Sequence, residues 1–150
     1  MANTYGYSLT MAHAKITGGI GPIAIGGNQY IRCVRDRALH VGYVGLTKNT
    51  DGDAVTYHIC HGVGNATVVM SNTDGCSGIM RACNVFGLNY DLSTPEVPET
   101  NSVAERYVQD VQDGMRVLLV HVGLFAVCWP YAASCYVMLR VNSKPFWVSA

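Results

Sequence analysis

Charge is what this chain has least of. Ten basic and ten acidic side chains make up 13% of 150 residues, against about 25% in ordinary soluble domains. The two signs cancel to a formal net charge of zero, and no basic run or acidic tail is present. There is therefore no electrostatic reason to expect nucleic acid or anionic lipid as a partner. Cysteine is present but scattered. Cys33, Cys60, Cys76, Cys83, Cys128 and Cys135 are too few for a disulfide-built miniprotein and too far apart for paired C-x-x-C zinc ligands. The opening Met-Ala-Asn-Thr-Tyr-Gly-Tyr has neither the basic segment nor the apolar stretch of a signal peptide, so cytoplasmic synthesis is the expectation. The sequon Asn65-Ala66-Thr67 then carries no weight.

Hydrophobic residues are present at an ordinary 49%, in a chain of the size of one domain. A monomer of 16.2 kDa should expose about 7,500 Å². So little charge spread over that surface predicts that partners cover part of it. The expected partner is another copy of the chain, with a trimer favoured.

Residues 18 to 27 read GGIGPIAIGG, and Gly19-Ile20-Gly21-Pro22-Ile23-Ala24 fits the G-x-G-x-x-A pattern of a dinucleotide-binding turn. Such a turn must open a helix that carries the chain back to a parallel strand. Seven residues separate Pro22 from the strand-like run at Tyr30, where a crossover needs roughly 10 to 12. No Gly-Lys-Ser/Thr ending follows, so a Walker loop is excluded as well. What remains is pliable, charge-poor backbone, and residues 1 to 28 read as a Gly-rich arm or lead-in. Ile20, Ile23 and Ile25, with Phe146 and Trp147 near the other end, are the candidate interface side chains.

From Tyr30 onward, short β-favouring runs are divided by turn residues. Tyr30–Arg35, Leu39–Leu46, Val55–Cys60 and Thr67–Ser71 read as strands, and Pro95-Glu96-Val97-Pro98-Glu99 as an extended loop. One helix is signalled over Val103–Gln112. Ser102-Val103-Ala104-Glu105 has the capping-box form, and Val103, Tyr107, Val108, Val111 and Met115 share one face. The run from Val117 to Leu139 holds no acid or base beyond His121. Its β-branched and aromatic residues, broken at Trp129-Pro130, favour two buried strands over a membrane span. The expected fold is all-β: a single β-sandwich or jelly-roll-like domain over residues 29 to 150, with one short helix and extended terminal arms.

Candidate chemistry is sparse. In a strand, His58 and Cys60 of His58-Ile59-Cys60-His61 would share a face and offer two zinc ligands, with Cys76 or Cys83 needed to complete a site. Asp74-Gly75-Cys76-Ser77-Gly78 loosely resembles the G-x-C-x-G nucleophile turn of cysteine proteases with a chymotrypsin-like fold, and His40 and Asp51 precede it in the order those enzymes use. Asp74 stands where that motif has glycine, and 36 positions from His40 to Cys76 are short for two barrels. Glu96 and Glu99 lie in a Pro-rich loop, and Asp110 and Asp113 on the polar side of the helix, where solvated charge is the ordinary reading.

A compact β domain with Gly-rich arms, sparse charge and no catalytic constellation resembles, in composition and architecture, the capsid decoration (cement) proteins of tailed phages. That resemblance implies a non-enzymatic structural subunit of a virion, made in the host cytoplasm. It would contact itself and a major capsid or other virion protein, without nucleic acid, membrane, metal or cofactor. The alternatives are a small cysteine hydrolase using Cys76 and His40, a zinc protein using His58 and Cys60, and a tail or fibre module that binds a receptor or carbohydrate through its tyrosines.

Overall fold

A computed structural model describes residues 7–15, 23–37, 40–49, 51–63, 68–73, 75–92 and 102–143. Strands β1 (Tyr7–Lys15), β2 (Tyr30–Asp36) and β3 (Gly42–Thr47) form an antiparallel meander. Helix α1 (Gly52–Val63) leads to β4 (Val68–Thr73), α2 (Ser77–Phe86) and β5 (Tyr90–Leu92). The chain ends its described part in α3 (Ser102–Val122), a single turn of 3-10 helix (Ala126–Cys128) and α4 (Trp129–Ser143). The five strands make one sheet in the order β3-β2-β1-β4-β5, with β4 parallel to β1 and β5 parallel to β4.

Helices cover both faces of this sheet. Ile31, Cys33 and Val44 pack with Tyr107, Val111, Met115 and Leu119 of α3 and with Trp129, Ala133 and Val137 of α4. On the other face, Val34 packs with Val55 and Ile59 of α1 and Ile79, Ala82 and Cys83 of α2. The alternation along β2 explains the division, because neighbouring side chains of a strand point to opposite faces. Across α3 and α4, Asp110 accepts a hydrogen bond from the Tyr136 hydroxyl at 3.0 Å and pairs with Arg140 at 2.8 Å. At Gly114 a side chain would collide with the Tyr136 ring, so the close approach of the two helices depends on glycine there.

The all-β sandwich is therefore wrong: the protein is a mixed α/β layered domain. The Val55–Cys60 run is β-rich in composition, yet its buried residues, Val55 and Ile59, are four apart, which is the spacing of one helix face. The 117 to 139 run is not a pair of strands but the end of α3, the 3-10 turn and the start of α4. Its apolar residues on both sides are not all buried, since Val117, Val120 and Val122 face outward. Gly123, at φ +71, closes α3 with hydrogen bonds from Gly123 N–H to Val120 O and Leu124 N–H to Leu119 O, the paired pattern of a glycine-terminated helix. Pro130 does not interrupt a strand. It sits in the first turn of α4, where a missing N–H removes no helical hydrogen bond.

The short helix expected over Val103–Gln112 is the first half of α3. Residues 7 to 15, read as part of an arm, form the central strand of the sheet. Ala24 is buried in the core and the Ile25 N–H donates to Val127 O at 3.0 Å, so residues 23 to 29 pack on their own chain, with Ile23 and Ile25 exposed. Ile20, Phe146 and Trp147 lie outside the described residues. No described helix is long and apolar enough to cross a membrane.

Candidate active site

In open sheets with parallel strands, ligands gather outside the strands' carboxyl ends where the strand order reverses direction. Here the chain leaves β1 towards β2 and β3 on one side, while β4 and β5 lie on the other. The reversal is therefore between β1 and β4. In register, Met11 stands beside Thr73, the last residue of β4, and Asp74 follows Thr73 in sequence, outside the described residues. Gly75, at φ +79, leads to Cys76, which precedes α2.

Helix α3 brings the second acidic group. Its buried stripe is Ala104, Tyr107, Val111, Met115 and Leu119, at the three- and four-residue spacing of one helix face. The Tyr107 hydroxyl rests against Gly42, where any side chain would overlap it, and the Arg35 guanidinium lies 5.2 Å from the Tyr107 ring centroid. Burial pushes the Tyr107 phenol well above its usual range, so it stays neutral. These contacts hold the start of α3 at the level of Arg35. Arg35 pairs with Thr10, and Thr10 with Asn72, so the helix begins one residue from the level at which β4 ends. Glu105 precedes Tyr107 by two residues, about 200° around the helix. Tyr107 takes the flank over β3, which leaves Glu105 on the flank towards β4. Its carboxylate is exposed and makes no ion pair among the described residues.

Behind this edge, on the α1 and α2 face, lies Arg32. It is 3% exposed and donates from Nη2 to Asn49 O at 3.1 Å, while Nε and Nη1 are buried without a partner. Burial lowers its pKa, opposed by the nearby Cys76 and Asp51. His58 sits close by. Its pKa is lowered first by burial and then by the Arg32 charge, so it is neutral in the folded protein at pH 7.

The residues singled out from sequence are placed differently from those readings. Because residues 52 to 63 are helical, His58 and Cys60 do not share a face: His58 is half-buried against the sheet and Cys60 is exposed. Among the described residues no group of three or more His, Cys, Asp or Glu is arranged to hold a metal ion. His40 lies in the β2–β3 turn, bonded to Arg35 at 3.2 Å, on the side of the sheet where Arg35 meets α3. Cys76 lies within electrostatic reach of Arg32 on the other face. The Cys76 and His40 pairing of a hydrolase is not assembled. Of the six cysteines, Cys33 and Cys83 are buried, and none of the six forms a disulfide.

No protein-family model matches the chain, and no curated protein does. Solved structures do. The catalytic core domain of BIV integrase superposes with a TM-score of 0.62 at 14% identity, over 95% of this chain and 88% of that one. A simian T-cell lymphotropic virus intasome in complex with PP2A regulatory subunit B56 gamma superposes with a TM-score of 0.68 at 9% identity, over 96% of this chain. This chain spans 56% of the length of the matched intasome chain. The fold is that of an integrase catalytic core. That finding overturns the phage decoration reading and the jelly-roll architecture on which it rested. It also overturns the expectation of a non-enzymatic subunit, since the neighbours in fold are catalytic domains.

Among the described acids, Glu105 lies on the flank of α3 towards β4, and Asp74 follows β4 in sequence, outside the described residues. Asp91, within β5, is exposed. Strand β1 carries no acid and ends at Lys15. Two hard carboxylate donors suit one divalent cation of the magnesium class, with water and phosphate oxygens filling the other positions.

Proposed function

We propose that this chain is a DNA-acting catalytic core that carries out phosphoryl transfer at the β1/β4 edge. The observation that carries the proposal is the placement of Glu105: the first turn of α3 holds a free carboxylate at the level where β4 ends and Asp74 follows. Asp74 and Glu105 would hold a divalent cation, whose contribution is to polarise a phosphoryl oxygen and lower the pKa of bound water. The chain's own contribution is to fix Glu105. Tyr107 wedged on Gly42 and the buried Val111 and Met115 anchor the helix, so the carboxylate is held without the helix having to reorganise.

Zero net charge argued against nucleic acid as a partner, and this proposal revises that expectation. Net charge bounds the non-specific attraction to phosphates, not the chemistry of a site. The duplex should accordingly be bound with a shallow salt dependence, since few Lys and Arg are available to displace counterions. Incubating the purified chain with a short DNA duplex and Mg²⁺ or Mn²⁺ tests the proposal. Nicking or strand joining that EDTA abolishes is the expected result. Absence of both, with either cation, would overturn it.

A second copy of the chain is the partner that the exposed surface favours. Val120 and Phe125 are 84% and 82% exposed, and Val117, Tyr131 and Met138 are open as well. Around them the chain has little charge to keep it apart from its own kind. Light scattering should give a mass that rises with concentration, and Phe125→Ser should move it towards the monomer. A monomer at every concentration would rule this partner out.

A further inference from the structure

We propose that α1 is an acid-released helix, held on the sheet only while His58 is uncharged. His58 packs against β3 at Gly45, where any side chain would run into the imidazole ring. The ring donates a hydrogen bond to the Leu46 backbone, and its Nδ1 is buried without a partner. The proton of the neutral ring therefore rests on Nε2, and Nδ1 is a bare acceptor.

A second proton, on Nδ1, would create a buried N–H with no acceptor. It would also set a positive charge near Arg32, which borders the same small cavity and whose guanidinium makes no ion pair among the described residues. The groups around His58 offer no relief. Arg32 faces it from β2 and Tyr43 from β3, the Tyr43 ring at 6.4 Å between centroids. Tyr57, at 5.5 Å, and His61 flank it on α1 itself. Helix α2 contributes the apolar Ile79, while its Arg81 is turned to Asp53 at the exposed start of α1. Cys76, just before α2, and Asp51, just before α1, act on Arg32. None of the groups that face His58 is a carboxylate. Burial, Arg32 and His61 all lower its pKa, against the Leu46 hydrogen bond alone. Released from the sheet, His58 takes up a proton near the ordinary pKa of about 6.5; docked, it does so only at lower pH. Docking is therefore at full strength above about pH 6.5 and weakens as pH falls below it.

The loss is local, because the two faces of the sheet have separate cores. Val55 and Ile59 of α1 pack with Val34, Ile79, Ala82 and Cys83, whereas α3 and α4 pack on Ile31, Cys33 and Val44. Release of α1 uncovers Val55 and Ile59 and leaves the second core closed. The device lies on the face opposite α3 and stands apart from the DNA-acting reading.

The test is amide hydrogen exchange of the whole chain between about pH 7.5 and pH 5, expressed as protection factors so that the intrinsic pH dependence of exchange drops out. Below about pH 6.5, protection in α1 should fall by up to about tenfold per pH unit, the limit for one proton, while α3 and α4 keep theirs. His58→Gln, which retains a donor for Leu46 and cannot take a charge, should flatten the response. His61→Gln should leave it in place. If His58→Gln does not fold, NMR of the unaltered protein decides instead: the His58 ring should titrate below the ordinary histidine range, over the same interval in which α1 loses protection. A response shared equally by α3 and α4, one that survives His58→Gln, one that His61→Gln removes, or a His58 ring that titrates in the ordinary range would overturn the proposal.

Discussion

Glu105→Gln should reduce the cation-dependent strand chemistry by a factor on the order of 10² to 10³, the usual effect of deleting one preorganised electrostatic group from a reacting centre. The substitution keeps the size and hydrogen-bonding capacity of the side chain and removes only its charge. Because the carboxylate is exposed and makes no ion pair among the described residues, stability should move by less than about 0.5 kcal/mol. Asp74→Asn should cost as much. The double variant should cost little more than either alone, because groups that hold one ion act as a unit. A Glu105→Gln protein that retains its rate within about twofold would show that the ion is held elsewhere.

Trp129→Ala should be the most destabilising single change, at about 3 to 5 kcal/mol. The indole is 1% exposed and is the largest of the fully buried side chains. It enters the core at the first residue of α4, where it joins Met115 and Leu119 of α3 with Ile31 of β2. No neighbouring element can move in to refill the space without breaking the 3-10 turn that precedes it or the Asp110, Tyr136 and Arg140 contacts that follow. Against a total stability of about 5 to 15 kcal/mol, the loss would leave the variant marginal. Urea unfolding should show a lower midpoint with an unchanged slope. Phe125, four residues earlier and 82% exposed, is the control, and Phe125→Ser should leave the midpoint of the monomer nearly unchanged. A cost for Trp129→Ala below about 1 kcal/mol would mean that α4 does not dock as described.

How much of this could be read from the residues alone differs from element to element. Strands β2, β3 and β4 were legible within a few residues because alternation and turn residues agree there. The first half of α3 was legible because Tyr107, Val111 and Met115 repeat at helical spacing. Its second half was not, since Val117, Val120 and Val122 are β-favouring residues placed on the outside of a helix, and composition does not say which side of an element faces water. Helix α1 was lost for a related reason: Val55 and Ile59 pack a helix, but Val-Thr-Tyr-His-Ile is strand-like as a string. Strand β1 was missed because a central strand needs neither charge nor bulky side chains when both its edges are paired. Both acids of the candidate site were noticed in the sequence, Asp74 as the residue that departs from a protease motif and Glu105 as half of a capping box. Nothing local could join them, because 31 positions separate them and only the sheet order brings their elements together.

The place of β1 has a consequence for how the molecule is made. Of the five described strands, the first to be synthesised is the seam between two halves, β2 with β3 and β4 with β5, which share no ladder except through it. Its partner on one side begins at Tyr30, 15 positions after Lys15, while the other is synthesised more than fifty residues later. Until then the nascent chain carries an open edge along its central strand. Trimming from the front would leave two fragments of sheet with nothing to unite them.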